Sequence, residues 1–194
     1  MMIDYILIGG LSYLIGSIPS GLILGKLLWH TDLRQHGSRN IGATNAWRTL
    51  GKIPGLLVFL ADGFKGQAGV LLGLSIVGTP WAAVIGGLCA IVGHSFSLFL
   101  QFHGGKGVAT SLGVLTMLMG KVTIVVFLLW LLVVYTTRYV SLGSILAGFL
   151  TPILAVAFGS PMEYVLFSAV AAVLVIVRHR ENIQRLMKGT ENKI

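Results

Sequence analysis

The sequence is poor in charge and poorest in carboxylates: Asp and Glu number six against fourteen Lys and Arg, and charged residues make up only 10% of the 194. A soluble domain carries about a quarter of its residues as charge, so an ordinary water-exposed surface is excluded. Cysteine is almost absent as well. Cys89 stands alone, which rules out an intrachain disulfide or a cysteine zinc cluster and leaves it as a small side chain within an apolar run. No metal-ligand cluster and no Ser-His-Asp set is evident, so metal-dependent and covalent catalysis are disfavoured and no metal or cofactor is expected.

What fills the chain is hydrocarbon. Apolar residues make up 55% and the mean hydropathy is +0.89, the composition of an integral membrane protein. Apolar runs cover residues 3–29, 53–77, 80–93, 108–119, 122–136, 140–158 and 162–177. Each long one approaches the roughly 20 residues that cross a ~30 Å hydrocarbon core. The expected fold class is therefore an all-α integral membrane bundle of about seven transmembrane helices, one domain over residues 1–194, with functional loops at one face. The 80–93 and 108–119 runs are short and need tilt or shielding to cross. The first run has no basic leader and no small-residue cleavage pattern, so it reads as a retained span.

Net charge is +8, but the basic residues stand at span ends, so a membrane surface and not nucleic acid is the partner they imply. Counted over seven spans, Arg34, Arg39, Arg48, Lys52, Lys106, Arg138, Arg178, Arg180, Arg185, Lys188 and Lys193 share one side and Lys121 lies opposite. The positive-inside rule then places the N-terminus outside and the C-terminus in the cytoplasm. Twenty-six glycines suit close helix approach in lipid, as in the stripe Ser17, Gly21, Gly25.

Two polar stretches interrupt the hydrocarbon. In the first, Gly37 and Gly42 allow sharp turns that present backbone N–H groups. Ser38, Asn40, Thr44 and Asn45 add donors and Arg48 adds a forked cation, which together make a phosphate cradle. A capped surface loop, with Ser38 or Asn40 starting a helix, would use the same residues. In the second, Gly104-Gly105-Lys106-Gly107 opens an apolar helix, so its N-terminus, free amides and Lys106 converge on an anion. It is not a Walker A loop, because glycine follows Lys106 and no strand precedes it. As a lone lysine, Lys106 would read as a membrane-face anchor.

His94 stands where an apolar run meets the second loop, either as a general base, as a neutral donor or as a structural histidine. No carboxylate is obviously placed to orient it. The His-x4-Asp pattern of many acyl-CoA and acyl-carrier-protein acyltransferases is missing, since Phe99 stands five residues after His94. Asp62 and Lys65, three apart on one helix face, read as a structural ion pair. The stretch Arg178-His179-Arg180-Glu181-Asn182 follows the last run as a headgroup anchor.

Five ordered motifs, Gly16 to Gly21, Gly37 to Asn45, Asp62 to Gly66, Gly93 to Thr110 and Arg178 to Asn182, make the chain resemble the bacterial acyl-phosphate:glycerol-3-phosphate acyltransferases of the PlsY family. The resemblance implies a seven-helix enzyme of the bacterial cytoplasmic membrane. Such an enzyme moves a fatty acyl group from acyl phosphate to sn-glycerol 3-phosphate, giving lysophosphatidic acid and inorganic phosphate, the first acylation in phospholipid synthesis. Expected partners are both substrates, membrane lipid and, by functional coupling, the enzyme that supplies acyl phosphate. It further implies that Gly37 to Asn45 hold the donor phosphate and that Ser38, Arg48, Lys106 and Asn182 bind or orient substrate. Gly104 and Gly105 belong to the second phosphate loop, His94 matches the family histidine, and Ser141 is a further candidate. The general base is His94 or a substrate phosphate oxygen. This chain departs from the family pattern at Arg39, where glycine is common, and at Ser97 and His103, where proline and lysine are. A side chain at 39 disfavours positive φ.

Two other functions fit the composition. A small phosphate or organic-anion transporter would also use broken, glycine-rich helices, but its site should lie at mid-membrane between repeated halves, and no repeat is evident. A non-catalytic scaffold leaves both glycine-basic loops without a purpose.

Overall fold

Hydrocarbon offers no water to an unpaired N–H or C=O, so apolar runs close their hydrogen bonds within helices. The computed structural model covers residues 1–194 and contains no strand. Its helices are α1 (Met2–Ser17), α2 (Ser20–Trp29), α3 (Ala43–Leu50), α4 (Lys52–Ile76), α5 (Pro80–Ser95), α6 (Val108–Leu118), α7 (Gly120–Thr137), α8 (Val140–Ala157), α9 (Met162–Arg178) and α10 (Arg180–Met187). All seven apolar runs are helical, and the all-α membrane architecture is as expected.

Length and composition do not by themselves confirm the count of seven crossings. Five segments are long and apolar enough to cross: α1 with α2, α4, α5 with the turn that follows it, α7 and α8. The pair α9 and α10, bent by 59°, makes a sixth when taken as one broken span. The remaining run, α6, has 11 residues, about 16 Å at 1.5 Å per residue and roughly half of a hydrocarbon core.

The chain divides into two compact units, Met1–Val114 and Leu115–Ile194. In the first, α5 packs on α1 and α4 through positions that have no room for a side chain. A Cβ on Gly16 would strike the Ala90 backbone, one on Gly93 the Tyr13 carbonyl, and Gly69 and Gly86 press on each other across α4 and α5. Small residues at these crossings let dispersion and backbone contact replace the hydrophobic drive that lipid does not supply. The Ser17–Gly21–Gly25 stripe admits loop as well as helix, with Ser17 against Gly93 of α5 and Gly21 also against Val58 of α4. Gly21 lies against the Ile41 carbonyl and Gly25 against that of Thr31.

In the second unit α8 packs on α7 and α9. Trp130 Nε1 donates to Ser144 Oγ at 3.2 Å, and Gly143 gives the Trp130 ring its place. At the α9–α10 corner His179 is buried, with Nδ1 2.8 Å from the Val175 carbonyl.

Candidate functional site

The first unit is organised around the break between α1 and α2. Pro19 has no N–H, so the helix cannot run through it. Its neighbours take on other work. The Ile18 carbonyl accepts from Ser20 N at 2.9 Å and from Lys65 Nζ at 2.7 Å. Ser97 Oγ donates to the Ser17 carbonyl at 2.5 Å and Leu98 N to Ser17 Oγ at 3.4 Å. With Gly21 under Ile41, the Ser17–Gly21 corner carries both polar loops. Ser97, a departure from the family pattern, makes a bond that proline could not make.

In the first loop Asn45 is the keystone. It is buried, and its Nδ2 lies within 3.1 Å of the carbonyls of Leu33, His36 and Asn40, while its Oδ1 accepts from Ser38 N at 2.9 Å. Asn40 Oδ1 accepts from Gly42 N at 2.9 Å. Asn45 therefore shapes the loop with both ends of its amide, where the sequence reading assigned it to substrate, and Asn40 shapes it through its oxygen. Gly37 turns at φ 56°, and a Cβ there would collide with Asn45 Oδ1. Gly37 and Ser38 are left exposed, with Gly42 and Thr44 at the start of α3 half-buried and Arg48 one turn further along. Asp32 is held by Arg34 Nη2 at 2.7 Å and Lys26 Nζ at 3.2 Å. The Arg34 hydrogen bond outweighs partial burial and keeps its carboxyl well below the ordinary range.

Arg39 takes φ 58°, so the loop keeps the left-handed turn that glycine would adopt freely. That conformation costs a side-chain-bearing residue roughly 1–2 kcal/mol, and the Arg39 side chain is exposed. Arg39→Gly is therefore expected to leave turnover within a few-fold and the Tm of purified protein unchanged or slightly raised, because glycine's looser unfolded chain offsets part of the relief. A clear fall in Tm would mean that the arginine side chain holds the loop.

The second loop folds back on the end of α5. Gly104 N donates to the Ser95 carbonyl at 3.2 Å and Gly105 N to the His94 carbonyl at 3.0 Å. A Cβ at Gly105 would overlap the His94 ring at Nε2, so glycine here brings the loop backbone onto the imidazole edge. Lys106 is half-buried and Gly107 turns at φ 79° into α6. Between Ser95 and the loop, Phe96, Leu98, Phe99 and Phe102 are exposed, and Tyr13 Oη anchors the Phe96 carbonyl at 2.8 Å.

Beneath this loop lies a buried polar group that sequence reading assembled only in part. Asp62 Oδ1 is 2.7 Å from Lys65 Nζ, as expected of a pair three apart on α4. Lys65 Nζ also lies 3.2 Å from His94 Nδ1, and the same Asp62 oxygen lies 3.6 Å from that nitrogen. A carboxylate therefore does stand beside His94, contrary to the sequence reading. The signal that could have found it is the pair itself, since two charges amid an apolar helix need polar company.

Ser141 and Asn182 belong to the second unit, where both are buried on one acceptor. Ser141 Oγ and Asn182 Nδ2 reach Glu191 Oε1 at 2.8 and 2.6 Å, and Arg185 Nε reaches Glu191 Oε2 at 2.7 Å. Burial alone would raise the Glu191 carboxyl, but hydrogen bonds from Arg185, Asn182 and Ser141 outweigh it and hold it below its ordinary value. Sequence reading missed Glu191, which lies in a short polar tail without periodicity.

Comparison with known proteins finds matches in both sequence and fold. The family profile described as glycerol-3-phosphate acyltransferase matches residues 6–189. The glycerol-3-phosphate acyltransferase of Carboxydothermus hydrogenoformans is 46% identical over 184 residues, 95% of this chain and 93% of the relative. Glycerol-3-phosphate acyltransferase 2 of Moorella thermoacetica is 50% identical over 183 residues, 94% of each. Among solved structures, PlsY (YgiH), an integral membrane glycerol 3-phosphate acyltransferase in its glycerol 3-phosphate form, superposes with a TM-score of 0.92. It is 40% identical and the match covers 98% of this chain and 95% of that one. Its lysophosphatidic acid form gives 0.90 at 38% identity with the same coverage.

Proposed function

Because the chain belongs to the glycerol-3-phosphate acyltransferase family of integral membrane enzymes, we propose that its acyl donor is acyl phosphate and its product lysophosphatidic acid, with release of inorganic phosphate. The observation that carries this reading is the common mooring of two glycine-rich, cationic loops on the Ser17–Gly21 corner. Acyl phosphate and glycerol 3-phosphate each bring a phosphate. Ser38, the Gly37–Gly42 turn, Thr44 and Arg48 suit one of them, and the Gly104–Gly107 amides with Lys106 suit the other.

The chemistry needs little more than placement. An acyl phosphate is a mixed anhydride, so its phosphate leaves without strong acid assistance. The glycerol hydroxyl oxygen bonds to the acyl carbon, the bond from that carbon to the phosphate oxygen breaks, and the hydroxyl proton passes to a phosphate oxygen. Held amides and cations fix the approach and stabilise the charge that develops on the carbonyl oxygen. No metal or cofactor enters the scheme. The face bearing both loops is cytoplasmic and the N-terminus is outside, by the weight of Arg34, Arg39, Arg48, Lys52 and Lys106. The same charge rule assigns the basic stretch from Arg178 onward to the cytoplasm.

Purified protein supplied with glycerol 3-phosphate should form lysophosphatidic acid and phosphate from acyl phosphate, and form little product from acyl-CoA. Comparable initial rates with the two donors would overturn the donor assignment.

A further inference from the structure

Lys65 is an ammonium group buried within the first unit, 6% exposed, beside Asp62 at 2% and His94 at 4%. An ammonium has three N–H donors and accepts nothing. Two of them meet acceptors in hydrogen-bonding geometry, the Ile18 carbonyl at 2.7 Å and His94 Nδ1 at 3.2 Å, while Asp62 Oδ1 stands 2.7 Å away as the counter-ion. His94 Nδ1 must therefore be bare. In a neutral imidazole the proton then sits on Nε2. An imidazolium would turn a second donor and a second positive charge toward Lys65. The 3.6 Å from Nδ1 to Asp62 Oδ1 is too long for a hydrogen bond that would hold a proton on Nδ1 instead. The opposite edge of the ring, Nε2, faces Gly105, in the turn whose amides adjoin Lys106.

We propose that Lys65 is a positioning residue that locks His94 in its Nε2–H tautomer, so that His94 offers the Gly104–Gly107 loop a hydrogen-bond donor and not a base. The donor faces the loop, where an anionic substrate oxygen would accept it. The identity of that anion as a substrate phosphate rests on the function proposed above; the tautomer does not. Asp62 supplies the counter-charge beside Lys65, and the Ile18 carbonyl, at the helix break before Pro19, supplies a second acceptor.

The test is nitrogen NMR on the full chain in lipid nanodiscs, with ¹⁵N-labelled histidine and the His94 signals identified by their loss in His94→Gln. The expected spectrum has one protonated ring nitrogen, Nε2, and one bare nitrogen, Nδ1. In Asp62→Leu/Lys65→Met, which removes both charges together, His94 should lose its single tautomer, a change that a purely structural lysine would not cause. An Nδ1–H or doubly protonated ring in the unaltered protein overturns the proposal whether or not the double variant folds.

Rates supply a second check. The glutamine amide can place an N–H near the Nε2 position, whereas asparagine reaches only the Nδ1 position. His94→Gln should thus lose no more than about tenfold in turnover, the worth of one weakened hydrogen bond, and His94→Asn clearly more. Equal losses in the two variants would refute the donor role. Absence of turnover with acyl phosphate, together with an intact Nε2–H signal, would overturn the donor assignment and leave the tautomer lock standing.

Discussion

Asp62→Leu is expected to destabilise the protein by about 3–5 kcal/mol, the usual consequence of stripping one partner from a buried ion pair. The remaining Lys65 would keep two neutral acceptors, the Ile18 carbonyl and His94, but would lose the carboxylate paired with it. Detergent-solubilised variant should show a large drop in Tm and a smaller monodisperse fraction. Adding Lys65→Met should restore most of that loss, since a matched apolar pair at similar volume is often neutral. The double-mutant cycle then yields a coupling well above the 0.5 kcal/mol or so seen between independent sites. Simple additivity would show that Asp62 and Lys65 do not depend on each other.

The largest effect on catalysis is expected at Gly105. A methyl group there lands on the His94 ring, which is itself fixed from behind by Lys65, so the loop backbone and not the histidine has to yield. Displacing positioned groups by even ~1 Å costs on the order of a hundredfold in rate. Gly105→Ala should lose about that much turnover with only a modest change in Tm, because the helix crossings below it are untouched. Gly10→Ala is the natural control: a Cβ at Gly10 meets nothing within 4 Å, and its turnover should match the parent. Unimpaired initial rates in Gly105→Ala would dissociate the loop from the reaction.

How far the sequence carried these conclusions depended on whether the signal was local. Apolar run length marked every membrane helix, and Pro19 marked the corner on which the loops hang. Run length could not say how deep α6 reaches, because an 11-residue helix and a tilted crossing look alike as composition. Motif order located the two loops. It did not separate groups that face a ligand from groups that build the cradle, so Asn45 read as a donor to substrate although its amide NH2 is turned inward on the carbonyls of Leu33, His36 and Asn40. The i,i+3 spacing exposed the Asp62–Lys65 pair within one helix. Its extension to His94 joins α4 to α5 across 29 residues of chain, and such a contact leaves no periodic trace. Arg39 shows the reverse case, in which a residue that disfavours the left-handed turn still adopts it because the Asn45 bonds on either side dictate the backbone.

The pairing inside α4 also bears on how the chain enters the bilayer in the first place. A translocon weighs each emerging segment by its partition into hydrocarbon, and a single Asp or Lys at mid-helix counts about 2.5–3.5 kcal/mol against insertion. The segment α4 holds one of each near its middle and is the least apolar of the five crossing candidates. Because the two charges lie on the same helix, they can neutralise each other before any neighbour arrives. The Ile18 carbonyl belongs to a segment synthesised earlier and His94 to the one synthesised next, so the polar load of α4 is shared in the order in which the ribosome delivers the partners. Vectorial synthesis thus brings the acceptor first, the charged pair second and the imidazole last, and α4 need never reside in lipid as a lone charged helix.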